Sequence, residues 1–308
     1  MQKRLLERRM PMLAVRVSRW SQAAARLVPP QQVVIGQVHS SYARIINVQT
    51  PSGRLLTFQG AGRLQAPLAL ALATDMEALG AHLPVGALVV QDIPAATGYP
   101  AALRLCCTAV PVWDGSLPAS PRLTPPVLAH IATALATWLS RYTPTRGLAP
   151  LLLALDGDPT CLSAPYEAMH TVLAPLWSRR YTLTDTTLLT LVKNLVGLGE
   201  GLTPSGDDCL VGLLAVLHVT GHLPLLCSPP VRAQFCQCVR LGTSQLSGEF
   251  VRCALDGHFA EPVVRLMRAL CSLDNGAWPT PAAALAAVGH SSGVDAMVGI
   301  VLGCRLFA

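Results

Sequence analysis

The stretch Gly197–Gly212, GLGEGLTPSGDDCLVG, predicts a flexible loop that leads into a buried helix. Its glycines permit positive φ angles and a close approach of the backbone to another group. Ser205 is a residue type preferred as an N-cap, and the acids Asp207 and Asp208 suit the positive end of a helix dipole. Leucines at helical spacing follow and supply a face to bury. A plain cap needs one such polar side chain, so this density of polar groups indicates a functional site, with a well-capped structural helix as the alternative.

A second segment near the C-terminus repeats this pattern. Ser291–Gly299, SSGVDAMVG, shares the pattern S-G-x-D-x-[LM]-V-G with Ser205–Gly212. Gly212 and Gly299 each follow the shared aspartate by four residues, so each lies on the same helical face as that aspartate. Small residues there permit two helices to cross closely. We therefore predict a pseudo-symmetric pair of helices whose N-termini converge on one pocket, the alternative being a chance likeness between two caps.

The chemistry of these N-termini predicts a site for a small anion. Unpaired N–H groups at a helix N-terminus bind phosphate or carboxylate, whereas aspartates at the same place repel an anion unless they accept ligand N–H groups or hold Mg²⁺. The predicted catalytic residues are Asp208, Asp295 and His290, the last either as a proton carrier or as a structural neighbour. The predicted substrate-binding residues are Gly199, Gly201, Thr203, Ser205, Gly206, Asp207, Ser244, Ser247, Ser291, Ser292 and Gly293. Alternatively, Ser244 and Ser247 cap the helix that follows them. A metal ion such as Mg²⁺ bound by Asp207, Asp208 and Asp295 is a further alternative.

The composition favours a well-packed protein over a disordered chain or a membrane protein. Of the 308 residues, 51% are hydrophobic and 13% are charged, which favours burial of apolar surface in a core or against a partner. The uncharged stretches Leu123–Ser140 and Cys209–Val231 contain prolines or histidines that a membrane-spanning helix does not tolerate well. No signal-peptide pattern follows the N-terminus, so we expect a cytoplasmic protein without a membrane partner.

The basic residues and the cysteines give weaker signals. Residues 1–32 hold seven basic side chains against one acid, which predicts a solvated or disordered segment, with a transit-like or nucleic-acid-binding arm as the alternative. No aromatic–basic interleaving follows, so we expect no nucleic-acid partner. The ten cysteines lack metal-ligand spacing and are interpreted as reduced core thiols, a zinc site being the alternative. The seven histidines other than His290 are interpreted as structural.

The pattern along the chain predicts an α+β fold. Short β-like segments over residues 33–116 predict a small antiparallel barrel or sandwich, with one helix at Leu68–Leu79. The Pro-rich residues 117–126 are predicted to be a linker, and residues 127–308 a mostly helical domain with both motifs. The helices predicted from periodicity are Val127–Arg141, Ala164–Leu176, Asp185–Leu195, Asp207–Val219, Val231–Leu241, Gly248–Leu255, Glu261–Leu270, Pro281–Val288 and Val294–Leu306.

Three segments together resemble a known family. In this order, GEGLTPSGDDCLVG, LGTSQLSGEFVRCALDGHFAEPVVRLMRAL and GHSSGVDAMVGIVLG are similar to the DUF2877 family of bacterial proteins, which includes the AllH subunit of oxamate carbamoyltransferase. The resemblance extends more faintly to VHSSYARIINVQTPSGRLLTF and covers most of residues 33–308.

That resemblance implies a transferase subunit in allantoin (purine) catabolism. The implied three-protein enzyme converts oxalurate and phosphate into carbamoyl phosphate and oxamate, and two other subunits are the implied partners. The alternative is a non-catalytic assembly subunit or an anion-sensing regulatory subunit of the same complex. The substrate, any metal, the stoichiometry and the chain that carries the chemistry are not fixed by the sequence.

Overall fold

The computed structural model describes residues 12–29, 31–92, 102–157, 164–178, 183–274 and 276–308. In these ranges the chain has the predicted α+β class, with a β-rich unit followed by a helical one, and the two units divide between Asp114 and Gly115. None of the helices in these ranges has the length and hydropathy that crossing a membrane requires.

The first unit is a β-barrel. Its strands are β1 (Leu13–Ser21), β2 (Val34–Tyr42), β3 (Ile45–Gln49), β4 (Leu55–Gly60), β5 (Ala69–Leu72), β6 (Leu88–Gln91), β7 (Leu103–Cys106) and β8 (Val112–Trp113), with helices α1 (Gln22–Leu27) and α2 (Met76–His82). The sheet order is β5-β4-β3-β2-β6-β7-β1-β8, and β1 also pairs with β5, which closes seven strands into the barrel. The expected antiparallel arrangement is only partly correct, because β5 runs parallel to β4, and β7 runs parallel to both β6 and β1.

Strand β1 lies in the segment that was predicted to be a solvated or disordered basic arm. Val15, Val17 and Trp20 point into the barrel core, whereas Arg16 is exposed. Successive side chains of a strand point to opposite faces, so exposed basic residues can alternate with buried apolar ones. The net charge of the segment therefore did not indicate the strand. The β-rich unit therefore begins well before Val33.

Strand β5 replaces the first part of the helix predicted at Leu68–Leu79. All four residues of β5 are buried, and the strand pairs with β4 on one side and with β1 on the other. A strand buried on both faces has no alternation of apolar and polar residues, so its pattern is indistinguishable from that of a buried helix. Helix α2 begins only at Met76, where the Asp75 side chain caps it.

The second unit is helical, as predicted. Its helices are α3 (Pro125–Tyr142), α4 (Ala149–Leu155), α5 (Ala164–Trp177), α6 (Asp185–Leu195), α7 (Ser205–Val219), α8 (Leu223–Leu226), α9 (Pro229–Gly242), α10 (Gln245–Leu255), α11 (Glu261–Ser272), α12 (Pro279–Ala286) and α13 (Ser292–Leu306). Every predicted helix of this unit is present with ends close to the predicted ones. The short helices α4 and α8 were not predicted.

The start of the Pro-rich segment is packed into this unit. The Phe259 N–H donates to the carbonyl of Gly115, the Ser120 N–H donates to the carbonyl of Val219, and Leu117 is buried. These contacts satisfy backbone groups that a free linker would expose to water. The prediction of a linker at residues 117–126 is corrected accordingly.

Helices α7 and α13 form the centre of the second unit, and they cross as the repeated motif predicted. A methyl carbon built at Gly212 would lie 1.9 Å from the carbonyl oxygen of Ala296, and one built at Gly299 would lie 2.0 Å from that of Cys209. These two contacts are equivalent under the motif repeat, since Cys209 and Ala296 occupy the same motif position. The two helices are therefore related by a local pseudo-twofold, and glycine at both positions permits the backbones to touch.

Candidate functional site

The N-termini of α7 and α13 lie side by side. The Thr203 and Ser292 hydroxyls are hydrogen-bonded to each other at 2.9 Å, which joins the loop before α7 to the first residue of α13. Across the crossing, the Ser292 hydroxyl lowers the pKa of the Asp208 carboxyl group, and the Ser205 hydroxyl lowers that of Asp295. The serine of each helix therefore lies near the aspartate of the other, and the repeated sequence motif forms one cluster.

The carboxyl group of Asp208 is held by hydroxyl groups. Burial raises the pKa of Asp208 well above its ordinary value, and the neighbouring carboxyl groups of Asp295 and Asp207 raise it further. The Ser292 and Thr203 hydroxyls oppose this shift by hydrogen-bonding to the charged form. Its Oδ2 atom is buried and has no hydrogen-bond partner in the described part of the chain. Asp208 therefore lies where a carboxylate is poorly stabilised.

Asp295 is wholly buried. Its Oδ1 accepts the backbone N–H of Leu148 at 2.6 Å, whereas its Oδ2, like that of Asp208, is buried and has no hydrogen-bond partner in the described part of the chain. Burial raises the pKa of Asp295, and the nearby Ser205 hydroxyl, the Leu148 N–H, the Ser291 hydroxyl and the positive charge of Arg146 lower it. The two equivalent aspartates of the pseudo-twofold therefore have different environments.

A loop that the sequence motifs did not include closes one side of this cluster. Arg146 donates from Nε at 3.2 Å and from Nη2 at 2.6 Å to the carbonyl of His290, and the Tyr166 hydroxyl donates to the carbonyl of Gly147 at 2.7 Å. Gly147 has a φ of +49° and lies against the carboxyl group of Asp295, where a side chain would collide with Oδ1. Arg146 is the residue that sequence reasoning missed most clearly, and only its basic side chain beside a glycine signalled a role.

A cavity of about 310 Å³ lies next to the cluster. It is lined by Leu148, Tyr166, Met169, Leu198, Gly199, Glu200 and Ser205. Gly199 and Ser205 were predicted as substrate-binding residues from the sequence, whereas Leu148 lies in the loop before α4 and Tyr166 and Met169 lie in α5. The cavity therefore combines a serine hydroxyl, a tyrosine hydroxyl and a carboxylate with apolar walls, as small-molecule sites do.

The backbone N–H of Ser205 belongs to a residue that lines this cavity. No described residue accepts a hydrogen bond from it. Gly199 has a φ of +113°, and a methyl carbon there would lie 2.8 Å from the Ser205 nitrogen, so glycine keeps this N–H uncovered. The N–H groups of Gly206 and Gly293 are occupied, because they donate to the carbonyls of Leu198 and Val288, whereas the N–H of Ser292, like that of Ser205, has no acceptor among the described residues.

Ser205 is the first residue of α7 and not its N-cap, which corrects the sequence prediction. Pro204 occupies the N-cap position, and no side-chain cap is present. Ser291 is the N-cap residue of α13, and there too no side chain caps the helix.

Asp207 has a different role from Asp208. Its Oδ1 accepts the N–H of Gly197 at 2.9 Å, and its Oδ2 accepts the hydroxyls of Ser247, at 2.6 Å, and of Thr243. With both oxygens used, this buried carboxylate fastens the glycine loop to the start of α10. Ser244 is the N-cap of α10, as the capping alternative predicted for it, and its hydroxyl also donates to the carbonyl of Leu202 at 2.7 Å, whereas the Ser247 hydroxyl does not cap the helix.

The remaining predicted residues lie at the rim of the cluster. The His290 side chain is exposed, and its carbonyl accepts the two bonds from Arg146. Gly201 is exposed, and a side chain there would meet no atom within 4 Å.

The described residues form no group of three or more His, Cys, Asp or Glu side chains suited to a metal ion. The Asp207, Asp208 and Asp295 carboxylates therefore do not converge as the ligand set that was left open. The nine cysteines in the described ranges are free thiols, and Cys161 lies outside those ranges.

A second cavity of about 300 Å³ is lined mostly by apolar side chains of α3, α11 and the loop after α11, among them Val127, Ile131 and Leu270. None of the predicted site residues lines it. The polar cavity at the start of α7 is accordingly the better candidate for a functional site.

Fold and site together define a two-unit α+β protein with a small-ligand cavity at paired helix N-termini. The chain belongs to the AllH family: residues 195–304 match the family model described as oxamate carbamoyltransferase subunit AllH, and residues 14–94 match the AllH family N-terminal domain. These two ranges cover most of the chain and include both motifs, which confirms the resemblance seen in the sequence. The family description makes the protein a subunit of a multi-subunit carbamoyltransferase. No solved structure matches the chain.

Proposed function

We propose that this chain is the subunit of oxamate carbamoyltransferase that binds the small anionic substrate, in the cavity at the start of α7. The observation that carries the proposal is the uncovered N–H of Ser205 beneath Gly199, at the wall of a cavity of about 310 Å³. An N–H at a helix start attracts a phosphate or carboxylate group. The reaction proposed is the conversion of oxalurate and phosphate into carbamoyl phosphate and oxamate, a step of allantoin catabolism.

The polar groups of the site suit such a substrate. Oxalurate has a carboxylate at one end and a carbamoyl group with N–H donors at the other. The Ser205 N–H is a donor for the carboxylate or for phosphate, and the Glu200 carboxylate and the Ser205 hydroxyl oxygen are acceptors for carbamoyl N–H groups. A purely anionic ligand without N–H groups would gain nothing from the acceptors.

The roles proposed for the predicted catalytic residues follow from their burial. Asp295 is wholly buried, and Oδ2 of Asp208 is buried as well. In this proposal both act on the serine hydroxyls near them, by favouring the direction in which Ser205 and Ser292 present their oxygens. The His290 side chain is exposed at the rim of the cluster, and its proposed role is proton transfer. The partners proposed are two other carbamoyltransferase subunits.

The burial of Asp295 and the half-burial of Asp208 also favour a second candidate function. In that case the chain is a non-catalytic assembly or regulatory subunit, and its cavity senses an anion while the chemistry takes place on a partner chain. The same contacts at Ser205 and Gly199 would then bind an effector instead of the substrate.

The test is oxalurate-dependent formation of carbamoyl phosphate by the complex reconstituted from this chain and its partner subunits. Gly199→Ala covers the Ser205 N–H and is expected to raise the KM for oxalurate and lower turnover, with the complex still assembled. Gly157→Ala is the matched control, because Gly157 has a φ of +124° and its methyl would meet no atom within 4 Å. It introduces a comparable backbone strain outside the cavity.

The outcomes separate the two functions. Loss of turnover in Gly199→Ala but not in Gly157→Ala supports the substrate site. Unchanged basal turnover together with a lost response to added oxamate or phosphate supports the sensing subunit. If neither variant changes turnover or response, the cavity has no role in ligand binding.

A further inference from the structure

We infer that the segment Gly199–Leu202 is a lid, which closes over the cavity at the start of α7 and brings the Glu200 carboxylate against the amide end of the bound ligand. Glu200 thereby selects a ligand that carries N–H groups over one of the same size that carries a second anionic group. The closing motion is argued from the structure of the segment, whereas the chemistry of the ligand rests on the proposed function.

The segment is weakly fixed along its length. All four of its residues are exposed. No backbone N–H or carbonyl group of Gly199, Glu200 or Gly201 has a hydrogen-bond partner among the described residues. Segments whose backbone groups are exposed to solvent and make few contacts move at little cost in free energy.

Both ends of the segment are fastened to the helical unit. Just before it, the N–H of Leu198 donates to the carbonyl of Leu195 at 3.0 Å, and the carbonyl of Leu198 accepts the N–H of Gly206 at 2.8 Å. At its last residue, the carbonyl of Leu202 accepts the hydroxyl of Ser244 at 2.7 Å. The movable stretch therefore lies between two fixed ends, as in a hinged loop.

Glu200 lies between two glycines that can act as hinges. Gly199 has a φ of +113° and Gly201 has a φ of +96°, in a region of backbone conformation that glycine enters without steric cost. A methyl carbon at Gly201 would meet no atom within 4 Å, so the space beside this hinge is open. Hinges on both sides permit Glu200 to swing while the fastened ends stay in place.

The segment forms the exposed side of the cavity. Gly199 and Glu200 line it together with Leu148 and Met169, which are buried, and Tyr166, which is half-buried. One side of the cavity is thus packed into the helical unit, and the other side is the weakly fixed segment. A ligand on the packed side is covered when the segment moves inward. Covering it excludes water, which protects a carbamoyl group from hydrolysis during its transfer.

The Glu200 carboxylate supplies the contact by which a ligand favours the closed state. A ligand shifts a conformational equilibrium only by as much as its interactions differ between the two states. Glu200 is exposed, and no described residue forms an ion pair or a hydrogen bond with its side chain. An ionised carboxylate accepts hydrogen bonds and donates none, so it attracts an amide group and repels a second carboxylate. Oxamate and oxalate are the matched pair of ligands that differ in this one group.

The closing motion is tested by limited proteolysis of the full chain with a protease that cuts before leucine. Leu202 is 54% exposed and does not line the cavity, and Leu64, 37% exposed in a loop of the β-rich unit, is the internal control. Oxalurate at nine times its dissociation constant, measured by calorimetry, is expected to slow cleavage at Leu202 about 10-fold and to leave cleavage at Leu64 unchanged, because only the open lid is cut. An unchanged rate at Leu202, in the free chain and in the reconstituted complex, would refute the lid.

The variant Glu200→Gln separates closure from simple shielding of the segment by the ligand. At nine times the dissociation constant of the variant, as much of the chain is occupied as in the wild type, so shielding is equal. The protection of Leu202 is nevertheless expected to fall by about half or more, since a neutral acceptor forms the weaker hydrogen bond. Protection equal to that of the wild type shows shielding alone and overturns the inference.

The selection of the ligand is tested by calorimetric titration with oxamate and with oxalate. The wild type is expected to bind oxamate more tightly than oxalate. Glu200→Gln is expected to reduce this ratio about 10-fold, because glutamine also donates to a carboxylate. Glu167→Gln, at an exposed residue of α5 that does not line the cavity, is the control and keeps the wild-type ratio. Equal ratios in the wild type and in Glu200→Gln would refute the role of Glu200.

Failure of the proposed function is seen in a different experiment, as full turnover by a complex that lacks this chain. The proteolysis and the titrations measure binding and closure and do not depend on turnover. The lid is therefore judged separately from the reaction.

Discussion

The substitution Gly212→Ala tests the central packing of the helical unit. A methyl carbon at this position would lie 1.9 Å from the carbonyl oxygen of Ala296. A carbon and a carbonyl oxygen approach to about 3.3 Å at the closest, so α7 and α13 must separate by roughly 1.4 Å at the crossing. The obstacle is backbone inside a helix, which cannot rotate away as a side chain would.

The expected effect is a net loss of about 2 kcal/mol in the free energy of unfolding. Inserting a methyl into a well-packed core costs about 1–3 kcal/mol, and an immovable backbone obstacle places this site at or above the upper end. Alanine is favoured over glycine inside a helix by about 1 kcal/mol, which offsets part of the cost. Gly248→Ala in α10 is the matched control, because its methyl meets Val239 Cγ1 at an ordinary 3.4 Å. That variant is expected to be neutral or slightly stabilised.

The assay is urea unfolding of the full chain followed by circular dichroism, with unchanged m-values as the condition for comparison. The double variant Gly212→Ala with Gly299→Ala adds a second test. Both methyls act at one crossing, so a single separation relieves both, and the double variant is expected to lose less than the sum of the two single losses. Equal stability of Gly212→Ala and Gly248→Ala, or strict additivity in the double variant, would refute the close crossing.

Three further predictions concern the cluster at the helix N-termini. Burial raises the pKa of Asp208 in the folded state, so its contribution to stability is present at acid pH and is lost as pH rises through the folded pKa. The unfolding free energy should then fall with a slope of at most about 1.4 kcal/mol per pH unit. In Asp208→Asn this decline should be shallower than in the wild type, and parallel curves would contradict the prediction. Asp207→Ala leaves three donors without their acceptor, of which the Ser247 hydroxyl is buried and the other two are half-buried, and should lower the unfolding free energy by about 2 kcal/mol, whereas Asp207→Asn, which keeps an acceptor, should lose less in the same urea titration. Gly147→Ala should lower the melting temperature measured by calorimetry, because its methyl would collide with Oδ1 of Asp295 and displace the Leu148 N–H. Gly157→Ala is the control, and equal melting temperatures of the two variants would count against this contact.

Two errors in the barrel show where local pattern misleads. Strand β1 was hidden because Arg16 and its basic neighbours alternate with buried residues, so a count of charge indicated a solvated arm. Strand β5 was assigned to a helix because all of its residues are buried and the sequence has no period of two. In both cases the partner strands decide the structure, and they are distant in the sequence.

The sequence by itself determined the helices of the second unit and the pairing of α7 with α13. Helical periodicity is a local property, and the repeated S-G-x-D-x-[LM]-V-G pattern places a small residue at equivalent points of two helices, so a close crossing follows from sequence alone. It also identified Thr203, Ser205, Ser292 and the two aspartates as one cluster.

Only the tertiary structure decided which groups of the cluster are free to act. Gly206 and Asp207 lie in the same motif as Ser205 and Asp208, yet their polar groups are taken by Leu198, Gly197 and the start of α10. Arg146 and Leu148 reach Asp295 from a loop far away in the chain and make it unlike Asp208. Burial and the supply of hydrogen-bond donors depend on the whole surrounding fold, and for that reason two identical motif positions became chemically different.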